Sequence, residues 1–173
     1  MVRYVGAAAD EVRSAHPEGV VGPGQVQVWV VGSGGDVDAE GAVREAAADG
    51  VPLVLDADAL AHVPTGHPAG MLLTPHAGEL ARMLDVERAE VEADQLAHAR
   101  RAAERYGAVV LLKGRHTLVA APDGRVRVTT VGPPWLATAG AGDVLAGLCG
   151  ALMAAGLDPF DAGSVGSWLH GAA

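Results

Sequence analysis

"AVVLLKGRHTLVAAPDGRVRVTT", residues 108–130, holds two kinds of strand in one stretch. Residues 108–113 form an unbroken apolar run ending on Lys113, the pattern of a strand covered on both faces, as in a parallel sheet flanked by helices. Residues 116–121 and 125–130 flank "PDG" and are expected to pair as an antiparallel hairpin. The stretch therefore predicts a mixed sheet, parallel up to Lys113 and antiparallel beyond it.

Toward the N-terminus the same grammar repeats. "VQVWVV" (26–31) reads as a strand, "AEGAVREAAADG" (39–50) as a helix ended by Gly50, and "VPLVLDAD" (51–58) as a buried strand running into acids. "MLLT" (71–74) is a short strand, followed by a helix in "PHAGELARML" with Pro75 and His76 at its start. Residues 86–107 carry acids early, arginines late and Gly107 last, the signals of one long surface helix. Toward the C-terminus, "LATAGAGDVLAG" (136–147) opens a helix of about sixteen residues, and "DPFDAGSVGSWLHGAA" (158–173) starts another. The order predicts a three-layer α/β sandwich with a mostly parallel central sheet and a β-hairpin. A length of 173 residues fits a single domain, 1–173.

Hydrophobic residues make up 50% of the chain and aromatics 3%, so the core must be built from Val, Leu and Ala. The net charge of −9 argues against a nucleic-acid or membrane surface, both of which need basic patches. Any phosphate must then be held by local groups. Cys149 is the only cysteine, which excludes an internal disulfide and fits a cytoplasmic setting. No GxxxxGK[ST] exists, because Gly114 and Arg115 follow Lys113, and "GSGGDV" from Gly32 ends on valine where a dinucleotide fingerprint needs glycine. Seven histidines without HExxH spacing and a lone cysteine leave no metal site of His or Cys type.

What remains is a set of loops that follow strands, where open α/β sheets place ligand groups. "LDADAL" puts Asp56 and Asp58 in such a loop, either as ligand groups or with Asp58 capping a short helix and Asp56 solvated. His76 and Glu79 in "TPHAGE" fit a helix cap with a first-turn acid as well as a binding site. Lys113, the only lysine, either snorkels to solvent or serves a site. "ATAGAGD" sets small residues before an apolar helix, suited to close backbone approach by an anion or to tight helix packing. Asp143 follows directly, an anion placed where a helix start attracts anions.

Taken in series, "PLVLDADAL", "LLTPHAGELARML", "VVLLKGRHTLVAAPDGRV" and "ATAGAGDVLAGLCGALMAAG…HGAA" resemble the ADP/ATP-dependent NAD(P)H-hydrate dehydratases of the ribokinase-like superfamily, from about Val28 onward. The resemblance implies repair of hydrated NADH or NADPH (NADHX, NADPHX), with ADP or ATP as phosphoryl donor together with Mg2+. It implies Asp143 as catalytic base, Ala139, Gly140, Ala141 and Gly142 as an anion hole, and Lys113, Gly114, Arg115, His116, Thr117 and Gly142 as the nucleotide site. Gly34, His76 and Asp143 would bind the hydrate. ADP is the expected donor, and a homo-oligomer, tetrameric in full-length relatives, the expected assembly. Two departures stand out: "GSGGD" where the family has GPGLG, and "AGAGD" where it has GGTGD. By the same resemblance the chain looks like a domain truncated at both ends. A vitamin-precursor kinase of the same superfamily, of thiazole or hydroxymethylpyrimidine type, and an inactive nucleotide-binding remnant are the alternatives.

Overall fold

The computed structural model describes residues 1–32, 38–131 and 138–173. Six strands form the central sheet in sequence order: β3 (Trp29–Val31), β4 (Leu53–Leu55), β5 (Met71–Leu73), β6 (Val109–Leu112), β7 (Thr117–Ala120) and β8 (Val126–Thr129). Pairing is parallel from β3 to β6 and antiparallel from β6 through β8. The mixed sheet expected from residues 108–130 is thus observed, with β6 as the strand where direction changes. A separate parallel pair, β1 (Arg3–Tyr4) and β2 (Val20–Val21), joined through α1 (Ala9–Ala15), has no counterpart in the sequence expectations.

Strand alternation explains the layers. Leu53, Leu55, Leu73, Val110 and Leu112 pack on one face against α2 (Ala39–Ala48), α3 (Ala77–Leu84), α4 (Arg88–Ala93) and α5 (Gln95–Tyr106). Val54, Leu72, Leu111 and Val119 pack on the other against α6 (Ala141–Ala154) and α7 (Pro159–Ala172). Both faces are dry, which is why these strands read as continuous apolar runs. Gly150 on α6 and Gly163 on α7 rest directly on sheet side chains, Val30 in one case and Leu72 and Val119 in the other. Glycine in these two helices therefore serves close helix-to-sheet packing, in place of the bulk that aromatics would supply.

The long helix expected over 86–107 is two helices. Asp94 leaves the helical conformation between α4 and α5 (φ −142°, ψ 74°), and its carboxylate accepts the Ala97 N–H at 3.0 Å, so it starts a new helix in place of continuing the old one. The Gly107 stop holds, with the glycine in the left-handed region at φ 59°. The short helix after β4 is a 3₁₀ helix, Ala57–His62, and its N-cap residue is Asp56; Asp58 lies in its first turn. Among the described residues no helix is long and apolar enough to cross a membrane.

Candidate functional site

Three parallel strands deliver their C-terminal ends to one place. The Lys113 N–H donates to the Pro75 carbonyl at 2.8 Å, and a parallel bridge between His76 and Lys113 carries the β5–β6 pairing one step past the strands. Lys113 is therefore fixed by its own backbone where the apolar run ends. Its ammonium reaches across the end of β5 and donates to Asp56 Oδ1 at 2.7 Å. Asp56 is buried, at 3% exposure. A buried carboxylate needs a partner or it costs several kcal/mol, and Lys113 is that partner. Solvated Asp56 and snorkelling Lys113, the two bland alternatives, are both excluded by this pair.

The loop that carries Asp56 is held tightly. Its N–H donates to the Val31 carbonyl at 3.0 Å, and its carbonyl accepts from Ala59 N–H at 3.1 Å. Gly32, at φ 121°, lies so close to that carbonyl that any Cβ would overlap it. The next residue, Ala57, is left-handed at φ 48°. Such a conformation in a non-glycine residue costs about 1–3 kcal/mol and persists only where the surroundings impose it.

The start of α3 is closed by its own side chains. His76 Nδ1 accepts the N–H groups of Gly78 at 3.0 Å and Glu79 at 3.2 Å, while Glu79 Oε2 accepts the His76 N–H at 2.7 Å. This is a reciprocal capping box with histidine in the usual serine position. Because Nδ1 is an acceptor, the neutral ring carries its proton on Nε2, which stands 3.4 Å from Glu79 Oε1. Glu79 Oε2 is also 3.9 Å from the Lys113 ammonium, so the cap and the Asp56–Lys113 pair form one cluster.

The start of α6 is open by contrast. Its N-cap, Gly140, is left-handed at φ 86° and supplies no side-chain hydrogen bond. Asp143 is exposed in the first turn. A Cβ on Gly142 would stand 3.3 Å from Lys113 Nζ and 3.6 Å from Asp56 Oδ2, so the first turn of α6 lies against the ion pair. About two turns further in, burial and then the negative charge of Asp56 push the Cys149 thiol up to about 12. Cys149 thus stays protonated at neutral pH and is no nucleophile.

The family model for NAD(P)H-hydrate dehydratase matches residues 8–173. The chain belongs to the NAD(P)H-hydrate dehydratase family. It is 46% identical over 130 residues to the ADP-dependent (S)-NAD(P)H-hydrate dehydratase of Neisseria meningitidis, covering 70% of this chain and 44% of that one. It is 39% identical over 184 residues to the bifunctional NAD(P)H-hydrate repair enzyme Nnr of Mycobacterium leprae, covering 98% of this chain and 38% of the relative. The chain thus spans about two fifths of the length of these curated relatives. The ADP/ATP-dependent NAD(P)H-hydrate dehydratase of Bacillus subtilis, co-crystallised with ATP/Mg2+, superposes with a TM-score of 0.85 at 28% identity, over 94% of this chain and 64% of that one. The ribokinase-like architecture expected from the sequence is the fold shared with these structures.

Within this dehydratase fold the residues singled out from sequence fall into three groups. Lys113, Gly142 and His76 converge at the sheet edge with Asp56 and Glu79. Gly114, Arg115 and His116 stand exposed in the turn after β6, and Thr117 begins β7 opposite Thr129. Ala139 and Gly140 are exposed at the approach to α6, Ala141 and Gly142 form its first two positions, and Gly34 lies outside the described residues. Asp56 was left open by the sequence and Glu79 fitted a simple cap. The sequence did carry a signal for Asp56, an acid directly after a buried apolar strand, and for Glu79 an acid three residues after a helix-cap residue, but nothing in it joined either to Lys113. On the outer face a groove of about 530 Å³ runs between the 3₁₀ helix and α3, lined by Asp58, His62, Glu79, Arg82 and Tyr106 among others.

Proposed function

We propose that the chain carries the nucleotide and hydrate sites of an ADP-dependent (S)-NAD(P)H-hydrate dehydratase. The observation that carries this reading is the meeting of an uncapped helix start, at Gly140 to Gly142, with the Lys113–Asp56 pair at the C-terminal edge of the parallel strands. The N–H groups of a helix start and its dipole favour phosphate, and the ammonium adds a point charge. In the proposed reaction the phosphoryl group passes from the nucleotide to the C6 hydroxyl of the hydrated nicotinamide ring. Asp143 takes the hydroxyl proton, and the N–H groups of Ala139 to Gly142 stabilise charge on the moving phosphoryl. Phosphate then leaves from C6, a proton leaves C5, and the ring double bond is restored. His76, neutral with its proton on Nε2, faces the hydrate as a hydrogen-bond donor.

Mg2+ is the metal this reading implies. Among the described residues no group of three His, Cys, Asp or Glu side chains could hold a metal. Mg2+ keeps several waters and is held mainly by substrate phosphates with one or two carboxylates, so it needs no cage of protein ligands. Bound there, Mg2+ would neutralise phosphate charge, while Asp56 stays engaged with Lys113.

The test is incubation of the purified chain with hydrated NADH and either ADP or ATP, following the absorbance of the restored dihydronicotinamide. Restoration with AMP and phosphate as products from ADP supports the reading. A phosphorylated small molecule that accumulates without dehydration would assign a kinase of the same fold, and nucleotide binding without any product would assign a remnant. The homo-oligomer implied by the resemblance belongs to the same proposal and is read by sedimentation.

A further inference from the structure

Lys113 is the only lysine in the chain, and a lysine ammonium ends a flexible stem whose rotamer freedom must be lost before it can serve a site. Asp56 removes that freedom. Its backbone is fixed on both sides, by the Val31 carbonyl and the Ala59 N–H, and Gly32 and Ala57 leave the loop no alternative course. Its side chain is 4% exposed and that of Lys113 is 21% exposed, so the carboxylate lies beneath the cation and away from solvent. Glu79, at 3.9 Å, lies beyond hydrogen-bond reach of the ammonium, which leaves Asp56 at 2.7 Å as the group that sets its place. Asp56 uses one of the three ammonium protons, and the side chain of Lys113 keeps enough exposure for the others to meet a ligand.

We propose that Asp56 is a positioning residue for nucleotide binding: it holds the Lys113 ammonium against Gly142, so that the cation stands at the start of α6 before a phosphate arrives. The inference rests on the nucleotide site proposed above and adds to it a residue that touches neither nucleotide nor hydrate. Fixing a binding group in advance lowers the entropy lost on association. The alternative is a purely structural pair that ties the ends of β4 and β6 together across β5.

The lone lysine makes the test direct, because the chain labelled with 15N at lysine Nζ gives one side-chain signal. In the wild-type chain without ligand, that signal is expected to be an ordered ammonium in slow exchange with water and coupled to Asp56. In Asp56→Asn it is expected to become that of a mobile, free lysine. ADP affinity, measured by calorimetry, should weaken roughly tenfold, the scale of one lost charge-assisted hydrogen bond. Glu79→Gln should leave the ammonium signal ordered. If Asp56→Asn does not fold, Asp56→Glu retains the charge on a longer stem; it should keep an ordered ammonium and still bind ADP more weakly.

A wild-type ammonium that is already mobile overturns the inference, even when ADP binds normally, and leaves the nucleotide reading standing. So does a released ammonium in Asp56→Asn with unchanged or tighter ADP binding, which marks the pair as structural. An ordered ammonium in a wild-type chain that binds no ADP overturns the nucleotide reading itself, and the positioning role falls with it.

Discussion

Helices α3 and α6 both begin at the same edge of the sheet, a few ångströms from the Lys113 ammonium, yet their first turns are built in opposite ways. The start of α3 is sealed by His76 and Glu79, each bonded to the backbone N–H of the other. The start of α6 follows a left-handed glycine with no capping side chain. A helix end lacking such partners leaves N–H groups for water or a ligand. Side chains that cap satisfy the helix start themselves; the start of α6 has no side-chain cap, and although the Ala141 N–H donates to the Thr138 carbonyl at 3.3 Å, among the described residues no such bond occupies the N–H groups of Gly140 and Gly142. The difference separates a wall of the site from the surface on which chemistry is proposed.

Asp143→Asn breaks this comparison most sharply. Asp143 lies in the first turn of α6, not at its cap, so a purely structural Asp143 would lose only the helix-dipole contribution, about 0.3–1 kcal/mol, on conversion to asparagine and leave turnover unchanged. As the proton acceptor of the proposed reaction, Asp143 should instead lose about 10²- to 10⁴-fold in turnover on conversion to the amide. Nucleotide affinity should hold or tighten, because a carboxylate facing phosphates has been neutralised. Single-turnover dehydration and ADP titration of both forms decide between these, and near-normal turnover by the variant sinks the catalytic assignment.

Gly140→Ala attacks the open start from its backbone. At φ 86° an L-residue is strained, at about 1–2 kcal/mol for a left-handed position. The expected outcome is a lower melting temperature together with weaker ADP binding, as the first turn of α6 shifts. Loss of stability with unchanged ADP affinity would detach the anion site from this turn.

The same two starts show how far the sequence could be read. Apolar runs at 51–55 and 108–112 gave away their burial on both faces because nothing polar interrupts them, and the "PDG" turn fixed the hairpin. "AGAGD" was legible as the start of a helix, which runs over Ala141–Ala154. The Asp56–Lys113 contact was not legible, since it joins residues 57 apart in sequence across an intervening strand. Two further details escaped for local reasons. Residues 86–107 satisfy the terminal signals of one helix, and only the competing cap at Asp94 divides them. The His76–Glu79 cap was expected from the sequence and is present, but that a ring nitrogen, in place of the usual serine or threonine hydroxyl, makes it was not.

His76→Ala sharpens the comparison from the sealed side. Removing a cap costs about 0.5–2 kcal/mol, which for a chain of this size corresponds to a few degrees of melting temperature. The α3 start should loosen, seen as faster amide exchange at Gly78 and Glu79. If the imidazole also contacts the hydrate, KM for the hydrate rises as well, whereas a pure cap would leave KM unchanged. Differential scanning calorimetry beside steady-state kinetics separates the two contributions.

Glu79→Gln is the smallest change and the finest probe. Glutamine occupies this position of a capping box as readily as glutamate, and the side-chain oxygen that accepts the His76 N–H at 2.7 Å is retained. The cap is therefore kept, and stability should change less than on loss of the cap in His76→Ala. What the variant removes is a negative charge 3.9 Å from the Lys113 ammonium and 3.4 Å from His76 Nε2. That charge repels incoming phosphate, so its loss should tighten ADP binding by a small factor, and more so at low ionic strength, where screening is weak. The side chain is 10% exposed, so added salt should diminish the effect without erasing it. ADP titrations at two salt concentrations on wild type and variant give the answer: weaker binding by the variant would mean that Glu79 holds the cation in place, a task otherwise assigned to Asp56 alone.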